Sequence, residues 1–175
     1  MSLEKRFLAQ TGGALQKVSF LGAEGYNCPV GWLKKVWCLP LLKSGLFRQP
    51  GTYLFWIFLA SAPKIRVGAL GFQNFEPGLY VYLGSARGGL GKRLACHLKD
   101  TPRCHWHVDR LRRVGKPVSF WVFPGVLGEC LWARQLCQLE VLLPSIPRFG
   151  ATGCRCPTHL FFWPSQPVDE PSPLR

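Results

Sequence analysis

The residues best suited to chemistry gather in one stretch, Pro77 to Leu98, which reads PGLYVYLGSARGGLGKRLACHL. Period-2 alternation sends Leu79, Val81 and Leu83 to one face of a strand and the phenols of Tyr80 and Tyr82 to the other, just ahead of a break at Gly84. Beyond a glycine-rich turn, Leu90, Leu94 and Leu98 recur as the buried stripe of a helix. Arg93 and His97 fall at the edge of that stripe, where a long side chain can lie along apolar surface and carry its charge to a cleft mouth. Phenol donors, a guanidinium and unpaired N–H groups at a helix start all favour a phosphoryl oxygen. A phosphate-binding site is therefore expected, although a core strand with a solvated Arg and His fits the same residues taken alone.

Cys154, Cys156 and His159 are spaced closely enough to share a metal, with Cys130 as a fourth ligand. A structural Zn²⁺ is one reading of that box. The missing Cys-x2-Cys pair speaks against it and for a tight turn that closes the domain over its core. The chain holds 8 cysteines, and without a secretory signal reduced thiols are expected rather than a disulfide framework.

Positioning these groups takes a scaffold. GTYLFWIFLA, from Gly51, is apolar on both faces, the pattern of a central strand covered on both sides. A turn at Pro63, a strand in IRVGAL and a strand in YVYLG follow with short links, which predicts an antiparallel meander. Helices are expected from Leu90, in CHWHVDRLRRV and in GECLWARQLCQLEVLL, the last with Glu129 in its first turn; SFWVF is a further short strand. The expected fold class is α+β, a three-stranded antiparallel sheet flanked by helices. Residues 1–47 form an extension of different character, with a Trp-rich basic segment from Val30 to Lys43 that either docks on the core or meets nucleic acid or a membrane surface. Residues 48–163 form the domain, and the proline-rich tail 164–175 is expected to be disordered.

Charge narrows the partners. The 175 residues carry 22 Lys plus Arg against 9 Asp plus Glu, a formal +13, which calls for a polyanion, nucleic acid before an anionic membrane. Arg87, Lys92, Lys99, Arg103, Arg110, Arg112, Arg113 and Lys116 cluster on and around the two short helices and would neutralise phosphates without reading base sequence. No run of about eighteen apolar residues is present, nor an N-terminal signal core, so a cytoplasmic location is expected. Between positions 51 and 163 the acids are Glu76, Asp100, Asp109, Glu129 and Glu140, too few for a site that converges several carboxylates on two metals.

GTY at Gly51 to Tyr53 and YLG at Tyr82 to Gly84, followed in order by Ser85, Ala86, Arg93, His97 and a Glu that opens a later helix, resemble the GIY-YIG nuclease family. The chain is most similar to its small stand-alone branch known as domain of unknown function 123, in which HWHxD and CRCPxHLF boxes are characteristic; here these are His105 to Asp109 and Cys154 to Phe161. The resemblance spans about Gly51 to Trp163. GTY replaces GIY, YLG replaces YIG, and Ser85 stands where many relatives carry lysine. The resemblance implies an endonuclease that uses Mg²⁺, or Mn²⁺ in its place, on nucleic acid, DNA before RNA. It also implies a link to DNA repair, because some members of that branch are appended to repair glycosylases. By the same resemblance Tyr53 is the base or positions the water, Tyr82 orients it or bonds the phosphate, and Arg93 holds the charged oxygens. His97 and His107 support the site, and Glu129 binds a single metal. The alternative is a non-catalytic nucleic-acid binding module on the same fold.

Overall fold

A strand that is apolar on both faces needs cover on both faces, and the structure is arranged to supply it. In this computed structural model, residues 16–19, 48–99, 106–138 and 142–163 are described, the first segment by its backbone only. The strands are β1 (Gln16–Ser19), β2 (Gly51–Leu59), β3 (Lys64–Arg66), β4 (Phe72–Asn74), β5 (Gly78–Ala86), β6 (Lys116–Pro124), β7 (Leu143–Pro144) and β8 (Leu160–Trp163). The α-helices are α1 (Leu90–Leu98), α2 (His107–Val114) and α3 (Glu129–Leu136), and a 3₁₀ turn spans Gly68–Leu70.

The α+β class holds, but the sheet is larger than the expected three strands. Six strands pair in the order β1-β6-β2-β5-β8-β7, and every pairing is antiparallel. IRVGAL is not one of them. Its first residues form β3, which pairs only with β4 in a separate ribbon, and the 3₁₀ turn follows at once. The reason lies in side-chain polarity. Lys64, Arg66, Phe72 and Asn74 are exposed, which suits a two-stranded ribbon in solvent and not a sheet buried on both sides. Without IRVGAL between them, β2 and β5 pair directly over their full length, from Gly51 opposite Ala86 to Leu59 opposite Gly78. β5 also runs through Gly84 to Ala86 rather than breaking at the glycine.

The two faces carry separate cores. Tyr53, Phe55, Ile57 and Leu59 of β2 and Tyr80 and Tyr82 of β5 pack on one side with Leu90 and Leu94 of α1 and Val108 and Leu111 of α2. Leu54 and Trp56, with Leu79, Val81 and Leu83, pack on the other with Trp132, Ala133 and Leu136 of α3. The alternation read from the sequence is thus the division between layers. α3 stops at Leu136, well short of the expected Leu143, which belongs to β7. The segment Val30 to Lys43 and the tail 164–175 lie outside the described residues, as does Arg103.

Register explains one glycine. Gly84 faces Tyr53 across the β2–β5 ladder, and a Cβ there would sit 2.5 Å from both Cζ and Oη of Tyr53. Gly84→Ala should lower stability by about 1–3 kcal/mol through overpacking. A urea titration would show a lower midpoint at unchanged slope. Gly88, with nothing within 4 Å of a Cβ, is the control and should tolerate alanine.

Candidate active site

Antiparallel pairing puts the start of β2 beside the end of β5, so the GTY and YLG segments meet. They open on a cleft of about 680 Å³ lined by Tyr53, Tyr82, Ser85, Arg87, Arg93 and Glu129 among others. The rings of Tyr53 and Tyr82 lie 6.3 Å apart. Arg93 reaches the cleft from α1 with its guanidinium carbon 4.0 Å from the centre of the Trp106 ring, a cation–π contact. At the start of α1 the Leu90 N–H is donated to the Gln49 carbonyl at 2.8 Å.

Behind Tyr53 runs a chain of hydrogen bonds. Its hydroxyl lies 2.6 Å from His97 Nε2, and His97 Nδ1 lies 2.7 Å from Asp109 Oδ1. Asp109 Oδ2 in turn accepts the Trp106 N–H at 3.1 Å. A carboxylate on Nδ1 assigns the proton to that nitrogen, which leaves Nε2 to accept from the phenol. His97 therefore does not sit at the helix edge, as its spacing suggested. It is 1% exposed, stacked on Phe55, because the phenol and the carboxylate satisfy both its nitrogens and allow burial. Burial holds its pKa below the usual value, against the upward pull of Asp109. Burial likewise pushes Tyr53 well above the ordinary phenol range, with Tyr82 adding to the rise and Arg93 opposing it; Tyr82 is raised by the same cause. Both tyrosines are neutral phenols at pH 7.

Glu129 opens α3 on the opposite wall. Ser85 Oγ donates to its Oε2 in a very short hydrogen bond, and His159 Nδ1 lies 3.0 Å from Oε1. Burial works against its charge, but bonding from His159 and Ser85 outweighs this and holds the carboxyl below its ordinary value. The turn before α3 is pinned by Thr52, whose buried hydroxyl donates to the Val126 carbonyl at 2.7 Å and accepts the Gly128 N–H at 3.0 Å. Thr52 and Ser85 were absent from the expected site. The signal for each was a hydroxyl at a departure from the family pattern, Thr52 inside the GTY motif and Ser85 directly after YLG.

Of the remaining expected residues, His107 and Arg112 bond to backbone groups. His107 is not among the cleft-lining residues; its Nδ1 accepts the Gly150 N–H at 3.1 Å. That bond seats Gly150, at φ 71°, flat against Tyr82. The histidine paired with Asp109 is His97. Arg112 donates to the Leu98 carbonyl at 2.8 Å and so closes the end of α1. Arg87, Lys92, Lys99 and Arg113 are exposed.

Beside Glu129, Cys130, Cys154, Cys156 and His159 bring one ligand atom each to within 4.8 Å of one another. This Cys₃His group could hold a metal. Burial, with the neighbouring sulfurs, pushes Cys130 up to about 12, and burial, with Cys154, raises Cys156.

A family model described as domain of unknown function DUF123 matches residues 52–172, and the chain belongs to that family. No curated protein and no solved structure matches it. Among the described residues, no helix is long and apolar enough to cross a membrane.

Two outcomes follow from the buried polar contacts. Thr52→Val keeps the shape but strands the Gly128 N–H and the Val126 carbonyl, and should cost about 1–3 kcal/mol in urea unfolding. Because folded His97 titrates below 6.5, the unfolded chain binds more protons in the window just beneath that value. Stability should thus rise with pH there and fall on acidification, by up to about 1.4 kcal/mol per pH unit per group. His107 is shifted the same way, so His97→Gln should make the measured dependence shallower without abolishing it.

Proposed function

We propose that this chain is a phosphodiester hydrolase acting on nucleic acid, an endonuclease of GIY-YIG type with DNA as the favoured substrate. The observation that carries the reading is the Tyr53–His97–Asp109 hydrogen-bond chain, which ends on the cleft that Tyr82, Arg93 and Glu129 also line. Such a chain answers the main chemical difficulty of a tyrosine base, its high pKa. Tyr53 need never become a free phenolate. As water attacks phosphorus and the P–O bond to the leaving oxygen breaks, Tyr53 Oη accepts the water proton while its own proton passes to His97 Nε2. Asp109 stabilises the imidazolium through Nδ1, and the leaving oxygen departs as an oxyanion that takes a proton from solvent. Tyr82 donates to a phosphoryl oxygen or orients the water. Arg93, held over the Trp106 ring, meets the charge that grows on the phosphoryl oxygens.

Glu129 is the only carboxylate among the described residues that line the cleft. A carboxylate has about four lone-pair sites, so contacts from Ser85 and His159 leave capacity for one further partner. It would hold Mg²⁺, or Mn²⁺ in its place, which supplies charge to stabilise the phosphoryl and leaving oxygens, with water and phosphate completing its shell. The exposed Arg87, Lys92, Lys99 and Arg113 and the formal +13 of the chain supply the counter-charge for a polyanion. The resemblance extends the proposal to a role in DNA repair, beside a repair partner. A second reading, a binding module without catalysis, draws on the fact that both Glu129 oxygens are already engaged.

Labelled single- and double-stranded DNA and RNA, incubated with Mg²⁺ or with EDTA, separate the two. Cleavage should require metal. Tyr53→Phe should lower the rate about 10²–10⁴-fold, as for loss of a general base, and Arg93→Ala by about 10²–10³-fold. Glu129→Ala should abolish the metal requirement together with the activity. Binding of the strands without cutting under any metal would overturn catalysis in favour of the module.

A further inference from the structure

The Cys₃His group has more than proximity in its favour. A tetrahedral site with Zn–S near ~2.3 Å and Zn–N near ~2.0–2.1 Å has ligand-to-ligand edges of roughly 3.5–3.8 Å. Cys154 Sγ and His159 Nε2 already stand 3.6 Å apart, and the whole set, within 4.8 Å, closes on an ion with side-chain shifts of about an ångström. The two nitrogens of His159 divide their duties. Nε2 faces the sulfurs, while Nδ1 faces Glu129 Oε1 at 3.0 Å, although not along a well-aligned hydrogen bond. A carboxylate on the far nitrogen is the usual support of a metal-bound imidazole.

The backbone is braced to hold these ligands without relying on the ion. The Arg148 guanidinium donates to the carbonyls of Cys154 at 2.6 Å and Cys156 at 3.3 Å. The Arg148 N–H donates to Pro157 O at 2.6 Å and the His159 N–H to Phe149 O at 2.8 Å. Arg148 takes φ 63° to do so, a conformation that few residues with a Cβ adopt. The result is a loop that folds Cys154 and Cys156 back over His159. Cys130 comes from elsewhere, the first turn of α3, directly after Glu129. Three sulfurs and one imidazole select a soft or borderline ion over Mg²⁺.

The geometry points to a structural Zn²⁺ bound by Cys130, Cys154, Cys156 and His159, which clamps the start of α3 to the segment before β8 and, through His159, holds Glu129 in the cleft wall. Zinc binding stands without the nuclease reading; only the use made of a fixed Glu129 rests on it.

The test uses the full chain and no cleavage assay, so it can fail or succeed separately from that reading. Protein purified under reducing conditions without chelator is analysed for metals. About one zinc per chain is expected, and near none in Cys154→Ser or Cys156→Ser. Should those variants not fold, Co²⁺ titration of the wild type is decisive instead: tetrahedral d–d and thiolate charge-transfer bands are expected, displaced by Zn²⁺. Glu129→Gln should keep the bands but weaken zinc in chelator competition by about 10–100-fold, the usual effect of removing the partner of a ligating histidine. Wild type that neither retains zinc nor takes up Co²⁺, or in which two of the three cysteines prove to be joined in a disulfide, overturns the site. Equal zinc affinity in Glu129→Gln overturns the coupling to the cleft.

Discussion

The pairing of β2 with β5 is the constraint from which the rest of the molecule follows. Both strands are buried on both faces, so a slip of one residue would carry every side chain of one strand into the wrong layer. The register that keeps the layers intact also sets Tyr53 over Gly84, and no bulkier residue at that position would leave room for the ring. Once Tyr53 is placed, its hydroxyl determines where a buried histidine can sit, and the histidine determines the orientation of Asp109 at the head of α2. α1 and α2 are thereby joined through a polar chain that crosses the apolar layer, fully partnered along its length. Such a chain is tolerated in a core because each of its groups is satisfied.

Much of this is written in the residues themselves. Alternation in GTYLFWIFLA and YVYLG gives the two buried faces directly, and the four-residue spacing of leucines gives α1. Less legible were features that depend on contacts between distant segments. IRVGAL has the apolar residues of a strand and buries Val67 in the core, yet its strand residues pair only with β4, and no local pattern states that β2 will pass it over to reach β5. β8 was hidden because Leu160 to Trp163 is short and follows an irregular box. α3 is shorter than its apolar periodicity, which continues into β7, and periodicity alone does not separate a helix from the strand that succeeds it.

At the site, the types of residue were legible and their tasks were not. His97 and His107 both stand near aromatic positions, but only pairing in space shows that one answers Tyr53 and the other carries a backbone N–H of the loop around Gly150. The electrostatic balance could not be read at all from a line of letters. The phenols are uncharged because burial dominates nearby charge, while Glu129 stays ionised because its two partners dominate burial. One cleft thus combines groups held neutral with a group held charged, a division that rests on hydrogen-bond partners more than on depth.

Glu129 and Cys130 are neighbours in the chain and both line the cleft, but their partners differ, Ser85 for one and the sulfur cluster for the other. The segment that delivers them is anchored at Thr52 by two hydrogen bonds. Evolution can therefore lengthen this protein at some places and not at others. The β3–β4 ribbon, half in solvent and outside the main sheet, can absorb insertions between lineages. The stretch from Val126 to Cys130 cannot gain or lose a residue without turning both side chains away from their partners together, so its length should be far more constant than its sequence.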